Sequence, residues 1–319
     1  MIREPLISII IPTYNREELI EETLTSIKSQ TYRNWECIIV DDGSTDNTFA
    51  RINNISNKDE RFKIVRRPSN RKPGGNGARN YGLEISNGDY VNWFDSDDLM
   101  IANKLAFQLG MLQEDNDLDF VISQCTIFKN TPDKIIGVMS KNVFSENLFE
   151  DFVKKKVKFF TPSVLFKKSY LLKNNLSFDE TLKAGQEWEF FARVLYNNPK
   201  SNYTMESLSL IRQHKASIST IKWRAHTYWN YALARIKIFK MLKKHNDEVS
   251  LMSFFKKYFQ EIFFQFVSTK NFKYAYKLLA TIFPELFSKK EIVKAYCYYF
   301  LQKNFKKGHI LRYRIFDEK

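Results

Sequence analysis

Cysteine, histidine, proline and glycine are all sparse in this chain of 319 residues, which has 3 Cys, 4 His, 8 Pro and 10 Gly. Three cysteines that are odd in number and far apart, Cys37, Cys125 and Cys297, exclude a disulfide framework and a cysteine-rich zinc cluster. They fit a reducing cytoplasm. So little Gly and Pro excludes collagen-like and low-complexity chains, and no run approaches the roughly 18 consecutive apolar residues a membrane-crossing helix needs. The apolar start, MIREPLISIIIPTYN, is cut short by Thr13, Tyr14 and Asn15, too early for a signal peptide, so it is expected to belong to the mature protein. What remains, 44% apolar, 15% aromatic and 27% charged residues, is the composition of a packed globular protein large enough for one or two domains.

Charge is divided unevenly along the chain. Residues 1–220 hold 29 Lys and Arg against 29 Asp and Glu, whereas residues 221–319 hold 21 against 7, so the whole net charge of +14 sits in the last third. That third also carries 24 of the 49 aromatic residues. A lysine-rich soluble helical domain and a helical region facing an anionic membrane surface both account for this pattern. Nucleic acid is not expected as a partner, because no binding module is recognisable. Between Leu251 and Val267, positions 251, 255, 258, 262 and 266 fall at helical spacing, widened by Phe254, Phe259 and Phe263, which predicts core packing. Pro284 and Gly308 are expected to punctuate the remaining helices.

The first hundred residues alternate strand and helix. Apolar runs at Leu6–Pro12, 37–40, 62–65 and 90–94 predict strands, and the segments 17–30, 46–55 and 78–85 predict the helices between them. Short, nearly continuous apolar strands joined by crossover helices imply a parallel sheet covered on both faces. Ligands of such sheets bind at the carboxyl ends of the strands, and there the polar residues collect.

The first strand ends in Pro12-Thr13-Tyr14-Asn15 and the second in Asp41-Asp42-Gly43-Ser44-Thr45-Asp46. The second segment reads as a turn with Ser44 or Asp46 capping the next helix, or as a nucleoside site in which Asp41 accepts hydrogen bonds and Tyr14 offers its ring. Lys72-Pro73-Gly74-Gly75-Asn76-Gly77-Ala78-Arg79-Asn80 is a glycine-rich approach to a helix that completes neither a dinucleotide nor a P-loop motif. Its Arg79 suits a diphosphate or a structural ion pair.

Trp93-Phe94-Asp95-Ser96-Asp97-Asp98 is an apolar strand running into three carboxylates, with Asp95 and Asp97 on one face and Ser96 on the other. Two like charges roughly 4 Å apart at an effective dielectric near 20 repel by about 4 kcal/mol, which a divalent magnesium or manganese ion would remove. The alternative is an Asp-rich cap for a helix beginning near Asn103, with Asp98 as the capping residue. The run Lys154-Lys155-Lys156 with Lys158 is expected to be a solvated helix face.

Taken in order, SIIIPTYN, VDDGSTD, GARNYG and FDSDD resemble the nucleotide-binding half of family 2 glycosyltransferases. Thr161-Pro162-Ser163, Phe178-Asp179-Glu180, the segment from Gly185 to Arg193 and the segment from Arg212 to Ser219 are similar to the acceptor half and closing element. The resemblance implies an α/β GT-A fold, Rossmann-like, with a mostly parallel sheet sandwiched by helices. It covers about residues 5–220: a nucleotide half over 1–100 and an acceptor half over 101–220, followed by an all-helical basic extension over 221–319.

The resemblance further implies a uridine-type nucleoside held by Thr13, Tyr14 and Asp41, with Pro12, Asn15, Arg79 and Ser96 completing the donor contacts. Asp95 would serve the ribose side, and Asp97 the Mn2+ or Mg2+ that bridges the diphosphate, with His214 as a further metal or phosphate contact. The acidic pair of the family stands here as Gln186-Glu187, leaving Glu187 as the catalytic base of an inverting transfer. Taken alone, Glu187 is also an acidic residue of the kind favoured at a helix N-terminus. The expected activity is transfer of a hexose or N-acetylhexosamine from a nucleoside diphosphate sugar to a glycan or lipid-linked acceptor in bacterial surface polysaccharide synthesis. It would occur in the cytoplasm or at the inner face of the plasma membrane, and self-association is compatible with this. A nucleotidyltransferase and a non-catalytic nucleotide-sugar binder are the alternatives.

Overall fold

The structure, a computed structural model, describes residues 3–213, 224–247 and 249–305. The chain divides into two compact units, one of residues 1–181 and 186–220, the other of residues 182–185 and 221–319.

The first unit is built on β1 (Ile7–Thr13), β2 (Trp35–Asp41), β3 (Phe62–Arg66) and β4 (Tyr90–Trp93), which run parallel in the order β3-β2-β1-β4. Helices α1 (Ile20–Lys28), α2 (Thr48–Ser56) and α3 (Gly75–Ile85) make the crossovers. Successive strand residues face opposite sides, so Ile7, Ile9 and Ile11 join one core layer while Ile10 joins the other. In the second layer Trp93 is the hub, with the rings of Phe166, Phe178 and Phe190 set edge-on at centroid distances of 5.8, 5.2 and 5.4 Å. Edge-on contact places ring edges against the electron-rich faces of their neighbours, which adds to the burial.

Beyond β4 the sheet becomes mixed. β5 (Leu99–Met100), β6 (Phe120–Lys129), β7 (Ile135–Val138), β8 (Val164–Lys167) and β9 (Ser201–Gln213) extend it in the order β4-β8-β6-β9-β5, with β7 paired to β6. β8 is antiparallel to both neighbours, while β6 and β9 are parallel. Around these strands lie α4 (Lys104–Glu114), α5 (Leu148–Val153), α6 (Lys168–Lys173) and α7 (Gln186–Tyr196).

Several local expectations need correction. α3 begins at Gly75, so two of the glycines lie inside the helix. A Cβ on Gly77 would lie 2.3 Å from the Lys72 carbonyl oxygen, so the close approach of that loop to the helix requires glycine. α2 is preceded by Asn47, and neither Ser44 nor Asp46 stands at its cap position; Asp46 instead accepts the Thr48 N–H at 3.0 Å. The cap position of α4 belongs to Asn103, with β5 between it and Asp98, so the Asp-rich segment is not a helix cap. The lysine run follows α5 as a turn, with Lys154 paired to Glu150 and Lys156 to Asp151, and is not a helix face.

The second unit contains α8 (Ala225–His245), α9 (Met252–Ser268), α10 (Phe272–Thr281), α11 (Phe283–Leu286) and α12 (Lys289–Phe305). The apolar stripe of α9 packs as expected, with Phe255, Phe259 and Phe263 fully buried beside Phe239 and Leu278. Pro284 lies in the first turn of α11, where its missing N–H costs nothing. Gly308 lies outside the described residues.

Candidate active site

Parallel strands end at one edge of a sheet, and the register fixes which residues meet there. Thr13 at the end of β1 lies opposite Asp41 at the end of β2. The two following loops are stitched together: Asn15 N–H donates to Ser44 Oγ at 3.0 Å and Thr45 N–H donates to Asn15 Oδ1 at 2.8 Å. Asn15 adopts a left-handed φ of 49°, which asparagine tolerates better than most residues. The buried Asp41 carboxylate turns onto its own loop and accepts the N–H groups of Gly43 and Ser44, while Gly43 takes a φ of 92°. This is the turn reading of the segment, achieved by Asp41 itself. Tyr14 stands exposed beside it, and Pro12 pairs opposite Val40.

Four carboxylates gather beyond the end of β4. Asp95 Oδ1 accepts Arg79 Nη2 at 2.7 Å, and the same nitrogen lies 3.9 Å from Glu187 Oε1. Glu187 Oε1 also accepts the Thr161 hydroxyl at 2.8 Å. Asp97 Oδ2 lies 3.3 Å from Arg16 Nε, and Arg16 Nη1 reaches the Tyr14 carbonyl at 3.3 Å. Asp98, buried beside Ser96, accepts the Arg212 N–H at 2.8 Å.

Arg79 is aimed by the first turn of α3, and α3 is tied down from a distance. Asn80 exchanges two hydrogen bonds of 2.8 Å with the backbone of Phe178, and its amide also donates to Glu180. Glu180 further accepts the Lys72 N–H at 2.9 Å. The segment Phe178-Asp179-Glu180 thus fixes the helix that carries Arg79.

Electrostatics follow from crowding. Burial raises the carboxyl of Glu187 above the ordinary range and Asp95 adds to the rise, while Arg79 and the Thr161 hydroxyl oppose it. Asp95 is raised by desolvation, with Arg79 lowering and Asp97 raising it. Asp98 is pushed well above its usual range by burial, then by Asp95 and Asp97. Removal from water and a like-charged neighbour both disfavour the ionised form.

Whether these residues suit a divalent cation can be judged from the donor set. Asp95 and Asp97 present hard oxygens whose mutual repulsion now rests on two arginines, which fits an ion held mainly by Asp97 and completed by water and diphosphate. An all-protein cage does not fit: among the described residues, no three or more His, Cys, Asp or Glu side chains form a metal-ligating group. His214 lies outside the described residues.

Thr13, Tyr14, Asn15, Asp41, Arg79, Asp95, Asp97 and Glu187 all come from the ends of β1, β2 and β4 and the starts of α3 and α7. Three pairings escaped the sequence reading: Thr161 with Glu187, Arg16 with Asp97, and Asp98 with Arg212. The last two pairs link residues about 80 and 114 positions apart. Thr161, Asp98 and Arg212 each lie in a segment the sequence singles out, but nothing in those segments marks the partner; Arg16 left no signal.

The sequence profile described as "Glycosyl transferase family 2" matches residues 8–171, just over half of the chain. An uncharacterised glycosyltransferase of Haemophilus influenzae is 45% identical over 112 residues, covering 35% of this chain and 44% of the relative. WfgD of Escherichia coli, a UDP-Glc:alpha-D-GlcNAc-diphosphoundecaprenol beta-1,3-glucosyltransferase, is 38% identical over 132 residues, covering 41% and 49%. The chain thus spans less than half the length of these two relatives. A GalNAc(5)-diNAcBac-PP-undecaprenol beta-1,3-glucosyltransferase of Campylobacter jejuni is 29% identical over 290 residues, covering 86% and 87%. Residues 1–349 of Staphylococcus aureus TarS, solved with UDP-GlcNAc, superpose with a TM-score of 0.70 at 20% identity, over 93% of this chain and 88% of that one. At that identity the likeness is one of fold.

Proposed function

Because the chain belongs to glycosyltransferase family 2, we propose that it transfers a hexose or N-acetylhexosamine from a uridine diphosphate sugar to a hydroxyl of a glycan or lipid-linked saccharide. The product would enter a bacterial surface polysaccharide. The observation that carries this reading is the Glu187 carboxylate, held between the Thr161 hydroxyl and Arg79 beside Asp95. Relatives that act on undecaprenyl-diphosphate-linked saccharides supply the acceptor class.

In this assignment residues 1–100 hold the donor, residues 101–220 the acceptor, and residues 221–319 form the extension. Tyr14 and Asp41 lie against the nucleoside with Pro12, Thr13 and Asn15, while Asp95 and Ser96 face the ribose side and Arg79 the diphosphate. Glu187 accepts the proton of the acceptor hydroxyl. The hydroxyl oxygen forms its bond to the anomeric carbon as the bond to the diphosphate breaks on the opposite face, so the configuration inverts. The raised carboxyl of Glu187 makes it a stronger base than a solvated glutamate. Asp97, with His214 as a second contact, would hold manganese or magnesium, which when bound supplies positive charge against the leaving diphosphate.

No helix among the described residues is long and apolar enough to cross a membrane. A cytoplasmic protein working at the inner membrane face fits that observation and a lipid-linked acceptor. Incubation with UDP-sugars and a lipid-linked acceptor tests the reading: released UDP with a lengthened acceptor supports it, whereas released pyrophosphate would make the protein a nucleotidyltransferase. Binding with no product would leave a nucleotide-sugar binder. Asp97→Ala should abolish metal-dependent donor binding, measured by thermal shift with and without manganese; unchanged affinity removes Asp97 from the metal.

A further inference from the structure

A helix needs one apolar face to join a core, yet α12 has two. Ala295 and Tyr298 point inward and are buried, while Val293, Tyr296 and Phe300, spaced three and four apart on the opposite side, are 61%, 37% and 57% exposed. The outer stripe continues onto α10 through Tyr276, which is 53% exposed and whose ring lies 6.2 Å from that of Tyr299. A band of large apolar side chains on a folded surface is costly in water unless something covers it.

Charge identifies the covering. α10 and α12 carry Lys273, Lys277, Lys289, Lys290, Lys294 and Lys303 against one acid, Glu291. That carboxylate is taken up at the start of α12, where it accepts the hydroxyl and N–H of Ser288 at 2.6 and 2.7 Å. Lys303 Nζ lies 5.7 Å from the Tyr299 ring centroid and Lys277 Nζ 5.1 Å from that of Trp229, so cations and aromatic faces are interleaved. Ammonium groups flanking tyrosine and phenylalanine match the boundary of an anionic bilayer, where phosphates meet acyl chains.

We infer that the exposed face formed by Val293, Tyr296 and Phe300 of α12 with Tyr276 of α10 docks the protein on an anionic lipid surface, with the flanking lysines against the headgroups. The inference deepens the inner-membrane assignment above, and it can fail while the donor chemistry stands, because donor binding and vesicle binding are separate measurements.

The chain carries its own reporter. Cys297 lies on the same face and is exposed, whereas Cys37 and Cys125 are buried, with burial pushing the Cys125 thiol up to about 12. A polarity-sensitive fluorophore therefore attaches selectively at Cys297 of the full chain. With vesicles of phosphatidylcholine containing about 30% phosphatidylglycerol at low salt, its emission should shift to the blue and unlabelled protein should pellet, whereas phosphatidylcholine alone should do neither. The combined change Val293→Ser, Tyr296→Ser and Phe300→Ser should weaken pelleting by about tenfold or more, as should Lys273→Glu with Lys303→Glu, which leaves every apolar side chain of the face in place. UDP-sugar binding should be the same in all forms. No pelleting, pelleting without a spectral change, or undiminished pelleting of the charge variant would overturn the inference. A blue shift that follows protein concentration without vesicles would also overturn it, by assigning the face to a second copy of the chain.

Discussion

Glu187 is held by opposing influences. Burial and Asp95 favour its protonated form, Arg79 and Thr161 its charged one. Removing the Thr161 hydroxyl should tip that balance, so Thr161→Val is expected to move the acid limb of the pH–rate profile to higher pH and lower the rate at neutral pH by about tenfold, with Thr161→Ser restoring both. An unchanged limb would reduce Thr161 to a packing residue. Glu187→Gln should retain donor binding and lose transfer. It should also raise the melting temperature at neutral pH: a carboxyl raised in the folded state destabilises that state above its unfolded pKa, and an amide carries no such penalty. Glu187, Asp95 and Arg79 were legible because each sits in a motif at a strand or helix end. Arg16 and the Asp98–Arg212 pair were not, because a hydrogen bond between distant segments leaves no local pattern.

At the scale of elements, α3 shows how a motif that looks like a loop becomes a helix. Three glycines read as an irregular approach, yet Gly75 and Gly77 lie in the first turn, and at Gly77 the Lys72 carbonyl crosses too close for any side chain. Gly77→Ala should therefore cost about 1–3 kcal/mol in chemical denaturation and weaken diphosphate binding, since it displaces the turn that aims Arg79. Normal stability with normal donor affinity would contradict that view. The parallel strands were legible as apolar runs, each ended by polar residues. β5 to β9 escaped: β5, β7 and β8 have two or four residues and β9 is half-solvated, so they give no clear period, while the ten-residue β6 is placed by its pairing with β8 and β9 far along the chain. The lysine run was misjudged for a related reason: α5 stops at Val153, and a charge count does not reveal where a helix ends.

For the molecule as a whole, two buried charges shape stability against pH. Lys104, fully buried and bonded to Gln108 at 2.7 Å, is lowered by burial to about 7. The unfolded chain then binds more protons between about pH 7 and about 10.4, so this residue makes stability rise across that window. Lys104→Met should flatten the rise in a series of melting curves and raise the melting point at pH 6. On the acid side, burial would raise Glu36, but hydrogen bonds from Lys63, the Asn87 N–H and Ser8 outweigh it and hold the carboxyl below its ordinary range. Its contribution is present above the unfolded value near about 4.3 and disappears as pH falls through the lower folded value. Glu36→Gln should therefore narrow the difference between melting points at neutral and acid pH. The helical character of α8 to α12 was legible from spacing and charge; the outward face of α12 was not, because a helix apolar on both sides has no amphipathic signature.

The alternation of isoleucines along β1 sets the terms on which this protein can change length over evolutionary time. Deleting one residue within that strand would send Ile10 and its neighbours to the wrong sides and pull Thr13 away from Asp41. Insertions in the turns beyond the strand ends disturb neither. A chain of this fold can therefore gain or lose residues around the candidate site far more readily than within the strand cores beneath it.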